Sequence, residues 1–217
     1  MLLRRLILCA LLSSLAPCLA VSAPVAENEF ELVLLATPDA VHGGSLFDTC
    51  AACHGATGEG AHDGTVPAIG GQHFKVIARQ LVDFRHARRW DERMTHFANI
   101  RHLADAQDIA DVATYISMLT PAGSPNVGQG GLVAQGAQIY ARACASCHGP
   151  DAEGSSVRAI PRLAGQHSQY LLKQMRDVLE GRRADYSPEH LLLFNRLHET
   201  EFNAVADYLS RLSVAPH

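Results

Sequence analysis

The chain contains the hexapeptide Cys50-Ala-Ala-Cys53-His54-Gly55 and repeats it as Cys144-Ala-Ser-Cys147-His148-Gly149, and these two segments decide the fold. An offset of 94 residues separates them, and the same offset relates several other segments of the two halves. Such a match over most of two segments indicates an internal duplication. The further matches are Gly71-Gln72-His73 with Gly165-Gln166-His167, Arg88-Arg89 with Arg182-Arg183, and Leu103 with Leu197.

The spacing inside each hexapeptide favours covalent attachment of a haem. Two thiols three positions apart on a helical turn can reach the two vinyl groups of one haem, and the next His can coordinate its iron. A zinc site would need two such pairs around one ion, a thioredoxin-like pair would need a βαβ setting, and a disulfide would leave the repeated His unexplained. We therefore predict two covalent haem c groups. The predicted attachment residues are Cys50, Cys53, Cys144 and Cys147, and the predicted proximal iron ligands are His54 and His148.

Composition changes along the chain predict the domain boundaries. Arg4 and Arg5, a following apolar run and Val21-Ser22-Ala23 are typical of a secretory signal peptide with cleavage after Ala23. The run is short for a membrane span of about 20 residues, so we expect no transmembrane segment in the mature chain. A stretch rich in Pro and Gly predicts a linker between the halves. The predicted segments are a signal peptide at 1–23, an N-terminal extension at 24–37, a first haem-binding domain at 38–120, a linker at 121–131 and a second haem-binding domain at 132–217.

The apolar residues recur at helical spacing, which predicts an all-α fold. In the first half this pattern runs from Ile109 to Leu119, and in the second half from Phe202 to Leu212. Two more helices are predicted over 74–86 and 168–179, and a shorter one before each Cys pair. No convincing alternation of period two predicts strands. The formal charge of −4 gives no reason to expect a nucleic-acid partner.

The motifs resemble those of class I c-type cytochromes fused in tandem, as in the cytochrome c4 family. The resemblance rests on the hexapeptides, on Val66-Pro67-Ala68-Ile69-Gly70-Gly71-Gln72 and on Ile160-Pro161-Arg162-Leu163-Ala164-Gly165-Gln166-His167. It implies two all-α domains, each wrapped around one covalent haem, and a periplasmic electron carrier rather than an enzyme. Its partners would be periplasmic redox proteins or a membrane-bound oxidase or reductase. It also implies that the aromatic pairs Phe47–Tyr115 and Tyr140–Tyr208 mark the crossing of the terminal helices.

The distal iron ligands depart from this family. Its members usually supply a Met about seven residues before the Leu that precedes the last helix. Counting back from Leu103 and Leu197 reaches His96 and His190 instead. We predict these two as distal ligands, with Met94 as the alternative for the first haem. Because imidazole lowers the potential of haem iron relative to a thioether, at least the second haem is expected to have a low potential.

Two other functions remain open from the sequence. The chain could be the electron-accepting cytochrome subunit of a periplasmic dehydrogenase, or a diheme enzyme with one open haem iron. The catalytic haem of thiosulfate dehydrogenases has a Cys distal ligand. Because all four cysteines outside the predicted signal peptide are assigned to haem attachment, that chemistry lacks its residue.

Overall fold

The computed structural model describes residues 22–121, 123–124, 126–183 and 186–214. Most of the predicted signal peptide and the linker residues Ala122 and Pro125 therefore lie outside the described residues. Within the described part the chain is helical, and its only β-type pairs are two isolated bridges, Arg89 with Arg183 and Ser155 with Ile160. The predicted all-α fold is confirmed.

Each half contributes a set of short helices joined by glycine-rich loops. The first half contains α1 (Ser22–Leu35), α2 (Ala40–His54), α3 (Phe74–Arg85), α4 (Glu92–Phe97) and α5 (Ala106–Met118). The second half contains α6 (Val133–Ala143), α7 (Ala145–His148), α8 (Ser168–Leu179), α9 (Pro188–Phe194) and α10 (Glu199–Ser210). No helix of the described residues is both long and apolar enough to cross a membrane.

In each half, the helix next to the Cys pair (α2 or α6) crosses the last helix (α5 or α10) at a glycine. A Cβ on Gly43 of α2 would overlap the carbonyl oxygen of Asp111 on α5, and a Cβ on Gly136 of α6 would overlap that of Ala204 on α10. This close approach brings the paired aromatic rings together. The ring centroids lie 5.3 Å apart for Phe47 and Tyr115 and 5.6 Å apart for Tyr140 and Tyr208. The structure thus brings together both aromatic pairs that the sequence placed at the helix crossing.

Short polar side chains start several of these helices. Asp39 accepts hydrogen bonds from the backbone N–H groups of Val41 and His42, and Asp105 does the same at the start of α5. Asp91 accepts one from Met94 N–H at the start of α4. Such caps satisfy N–H groups that have no partner within the helix. They also fix which residue of a short helix faces the core.

The predicted N-terminal extension forms α1, which packs on the first domain. Ala26, Phe30 and Val33 are buried against α3 and α5. On the flank of α1, Glu29 pairs with Arg85 and also lies 2.6 Å from His86 Nε2. The predicted cleavage point after Ala23 falls in the first turn of α1. The buried face of α1 therefore belongs to the predicted mature chain.

Replacing Phe30 by alanine is expected to lower the free energy of unfolding of the first domain by about 3 kcal/mol. The ring is 7% exposed, and the guanidinium of Arg79 lies 3.7 Å above its centroid, so truncation removes both apolar burial and a cation–π contact. Chemical denaturation of the haem-loaded protein measures the change. The matched control is Leu32→Ala, since Leu32 on the outer face of α1 is 59% exposed and should change stability by less than about 0.5 kcal/mol. Equal losses in the two variants would contradict the packing of α1 on this domain.

The two halves meet at a junction with approximate twofold symmetry. The side-chain amide of Gln72 pairs with the backbone N–H and C=O of Arg162, both at 3.0 Å. The amide of Gln166 pairs in the same way with the backbone of Ala68, at 3.0 and 2.8 Å. Because Gln166 and Arg162 are the repeat counterparts of Gln72 and Ala68, each domain supplies the same contact to the other. These hydrogen bonds join the two domains, each of which carries one Cys pair.

Candidate functional site

Each hexapeptide ends a helix and turns the following His toward a domain interior. Gly55 and Gly149 follow the histidines with φ of 79° and 83°, a conformation that favours glycine and stops the helix. His54 Nδ1 lies 3.0 Å from the carbonyl oxygen of Pro67, and His148 Nδ1 lies 3.1 Å from that of Pro161. A carbonyl can only accept, so each Nδ1 carries the proton and each Nε2 keeps its lone pair for a metal.

Burial also favours the neutral imidazole that a metal requires. It lowers the pKa of His54 and of His148 below the usual histidine range. The four cysteines of the hexapeptides are free thiols. Burial raises the pKa of Cys50 and of Cys144 to about 11, whereas Cys53 and Cys147 are exposed. Within a single helical turn, each domain therefore has one partly buried thiol, one exposed thiol and one neutral imidazole.

In the first domain these groups line an apolar cavity. Cys50, Cys53 and His54 form one wall, and Met94 and Phe97 from the α4 region face the same space. The apolar residues of the remaining walls come mainly from α3, α5 and the loop before α5, and α8 of the second half adds polar residues. The apolar residues include Ile77, Leu81, Phe84, Leu103, Val112 and Ile116. An apolar cavity with a thiol pair, an imidazole and a thioether suits a haem, whose faces are apolar and whose iron takes nitrogen and sulfur ligands.

The structure does not bring His96 to His54. His96 is exposed, its Nε2 lies 3.2 Å from His102 Nε2, and it does not line the cavity. Met94 lines the cavity instead. The predicted distal pair of His54 and His96 is therefore not brought together, and Met94, the predicted alternative, lies at the cavity instead.

The register of the short distal helices explains why His96 was selected. The N-cap of α4 is Asp91, two residues after Arg89, whereas the N-cap of α9 is Ser187, four residues after Arg183. The uniform offset of 94 consequently fails between these points. Counted from its cap, Met94 corresponds to His190, because each is the third residue after the N-cap.

In the second domain the two predicted ligands do face each other. The ring centroids of His148 and His190 are 6.0 Å apart, with ring planes at 73°. His190 Nδ1 lies 2.9 Å from Ser187 Oγ, so Nε2 is the nitrogen left for a metal. Imidazole nitrogens bind transition metals at about 2 Å, and two rings on opposite sides of one ion then have centroids roughly 6 Å apart. The spacing fits a metal held between the rings.

The environment of His190 keeps it neutral and holds its orientation. Burial lowers the pKa of His190, and electrostatic repulsion by nearby Arg183 and His148 lowers it further. Its ring lies 4.7 Å from that of Tyr186 and 5.7 Å from that of Phe194, measured between centroids. A neutral, packed imidazole is the form that coordinates iron.

These two sites define a c-type cytochrome with two haem-binding domains. The family model described as cytochrome c matches residues 40–120 and 133–213, one match for each domain. The chain is 31% identical to cytochrome c4 of Pseudomonas aeruginosa over 82% of this chain and 90% of that protein. It is also 31% identical to a thiosulfate dehydrogenase electron acceptor of Thiomonas intermedia, over 77% of this chain and 80% of that protein.

Comparison with a solved structure supports the same classification. The crystal structure of reduced cytochrome c4 from Pseudomonas stutzeri superposes with a TM-score of 0.72 at 26% identity, over 82% of this chain and all of that one. The chain therefore belongs to the cytochrome c4 family of diheme electron-transfer cytochromes. It carries two covalent haem c groups, one in each domain, and it transfers electrons.

Sequence reasoning missed the groups that orient the haem ligands. The carbonyls of Pro67 and Pro161 were not assigned a role, although each lies 13 residues after its proximal His and the prolines match at the repeat offset. Ser187 was also missed, although a polar residue before Pro188 is a recognisable helix start. Both signals were present in the sequence.

Proposed function

We propose that this protein is a periplasmic electron carrier whose two haems have different axial ligands. Cys50 and Cys53 attach the first haem, and His54 and Met94 ligate its iron. Cys144 and Cys147 attach the second haem, and two histidines ligate its iron. These histidines are His148 and His190, and their facing rings are the observation that carries the proposal.

The ligand difference gives the electron a direction. Sulfur ligation by Met stabilises ferrous iron and raises the potential, whereas a second imidazole lowers it. An electron on the second haem therefore moves downhill to the first. The carrier receives electrons at the second domain and delivers them from the first, and two six-coordinate irons leave no open position for a substrate.

The partners proposed for this chain are other redox proteins. A relative whose name states that it accepts electrons from thiosulfate dehydrogenase supports a periplasmic dehydrogenase as the donor. A membrane-bound oxidase or reductase is the proposed acceptor. In this role the protein is a carrier or an electron-accepting subunit and does not itself convert a substrate.

The oxidised protein is expected to show a near-infrared sulfur-to-iron charge-transfer band with the intensity of one Met-ligated haem. Met94→His should abolish the band, because it replaces the thioether that lines the first cavity. His96→Ala is the matched control and should leave the band unchanged, since His96 is exposed and outside that cavity. A band of double intensity, or none in the unaltered protein, would refute the mixed ligation.

A further inference from the structure

Arg85, the last residue of α3, binds the segment that follows Met94. Its side chain is 6% exposed. Its Nε donates to the carbonyl oxygen of Ala98 at 2.8 Å, and its Nη2 donates to that of Leu103 at 2.6 Å. Ala98 caps the C-terminus of α4, and Leu103 lies three residues before α5. One buried guanidinium therefore holds the loop between α4 and α5 at two points.

The charge of Arg85 is balanced from α1, which lies before the first match to the cytochrome c family model. Arg85 Nη1 pairs with Glu29, whose other carboxylate oxygen lies 2.6 Å from His86 Nε2. Among the described residues, Glu29 is the one carboxylate within ion-pair distance of Arg85. Removing one partner of a buried ion pair leaves the other charge uncompensated, which is strongly destabilising. Glu29 thus keeps the guanidinium where it binds the two carbonyls.

The helix α4 has little burial of its own to hold Met94 in place. It has six residues, and none of them is fully buried. Isolated helices this short are unstable in water. Ala98 N–H donates to the carbonyl oxygen of Met94 at 2.8 Å, so the first carbonyl that Arg85 binds lies one turn after the ligand. The position of Met94 therefore depends on contacts at the two ends of α4, where Asp91 caps the start and Arg85 binds the end.

The second domain lacks this arrangement. The repeat counterpart of Arg85 is Leu179, which is 36% exposed and has no side-chain donor. None of the described residues between α5 and α6 is helical, so no helix corresponds to α1 there. The proposed distal ligand of this domain is His190, and an imidazole is a stronger donor to iron than a thioether. The additional contacts thus occur in the domain whose proposed ligand binds more weakly.

We propose that α1 is a clamp that keeps Met94 on the iron of the first haem, with Glu29 and Arg85 as positioning residues. The proposal rests on the proposed ligation by Met94. Once the clamp is broken, the thioether leaves the oxidised iron more often, and the imidazole of His96 or His102 on the released segment takes its place. One Fe–S bond breaks, one Fe–N bond forms, and the iron keeps its oxidation state. The clamp thereby preserves the difference in ligands between the two haems.

The test is the rate at which cyanide displaces Met94 from the oxidised diheme protein. Decay of the near-infrared sulfur-to-iron band reports this step, because the entering ligand binds only after the thioether has left. Glu29→Gln keeps the size of the side chain and removes its charge. We expect it to raise the rate about tenfold, the order expected from the loss of one hydrogen bond to a charged group. Arg85→Leu introduces the residue of the second domain, removes both carbonyl contacts and should raise the rate about a hundredfold.

A matched control lies on the same helix. Glu27 pairs with Arg79 and Arg88, and neither partner donates a hydrogen bond to the described residues of the loop between α4 and α5. Because Glu27 is 50% exposed and exposed ion pairs contribute little, Glu27→Gln should change the rate by less than about twofold. Glu29→Gln decides the test alone if Arg85→Leu does not fold.

Equal cyanide rates in the unaltered protein and in Glu29→Gln, with the near-infrared band present in both, would overturn the clamp. An equal acceleration by Glu27→Gln would also overturn it, because a general loosening of α1 would then account for the effect. Absence of the band from the unaltered protein would instead refute ligation by Met94, on which the inference rests.

Discussion

Replacing His190 by methionine is expected to raise the reduction potential of the second haem by on the order of 0.2 V, a fraction of the about 0.8 V that axial ligands span. The ring of His190 faces that of His148 at 6.0 Å between centroids, so its loss changes the distal ligand directly. A thioether donates less electron density than an imidazole and favours ferrous iron. In a redox titration, the reduction steps of the two haems should therefore lie closer together in potential.

The same variant should double the near-infrared sulfur-to-iron band, since both haems would then have a Met ligand. His198→Met is a suitable control, because His198 lies at the N-cap of α10 and does not face His148. It should leave the band and both potentials unchanged. An unaltered second potential in His190→Met, with the haem still six-coordinate, would show that another group ligates the iron.

The repeated sequence predicts the proximal half of each site and the helices that carry it. Cys50 and Cys144, with the histidines that follow, need only the local chain to bring them onto one turn. The long helices were predicted for the same reason, since apolar spacing records which face is buried. The helix over 168–179 matches α8 as observed, and that over 74–86 extends one residue past α3.

The distal ligands of the two sites could not be predicted from a fixed offset between the two halves of the sequence. The loop before the short helix (α4 or α9) and the loop after it differ in length between the halves, and the two differences compensate. Leu103 and Leu197 therefore match at the offset of 94, whereas His190 lies two residues beyond the position that this offset assigns to Met94. Counted from the caps at Asp91 and Ser187, Met94 and His190 occupy the same helix position, because a cap determines which residue of the first turn faces inward. Counting from an anchor outside the helix therefore selected an exposed residue.

Contacts between the halves were also beyond the sequence. The matching glutamines Gln72 and Gln166 are visible as a repeat, but their partners lie 90 or more positions away. The burial of Arg89 depends in the same way on a helix of the other domain. Duplication predicts that each domain supplies the same group, but the geometry of docking decides what that group touches.

Replacing Gly136 by alanine is expected to destabilise the second domain by about 3 kcal/mol, near the upper end of the usual cost of overpacking. In an isolated helix the change would instead stabilise by about 1 kcal/mol, since alanine favours helix more than glycine does. The sign reverses because the added Cβ would overlap the backbone carbonyl of Ala204, where α6 crosses α10, and would also press on Tyr208. A backbone carbonyl and a Cβ atom cannot move away unless α10 itself shifts. Denaturation of the haem-loaded protein, compared with Gly131→Ala, measures the effect, because a Cβ on Gly131 meets no atom within 4 Å of the described structure. An increase in stability for Gly136→Ala would show that the helices do not cross at this glycine.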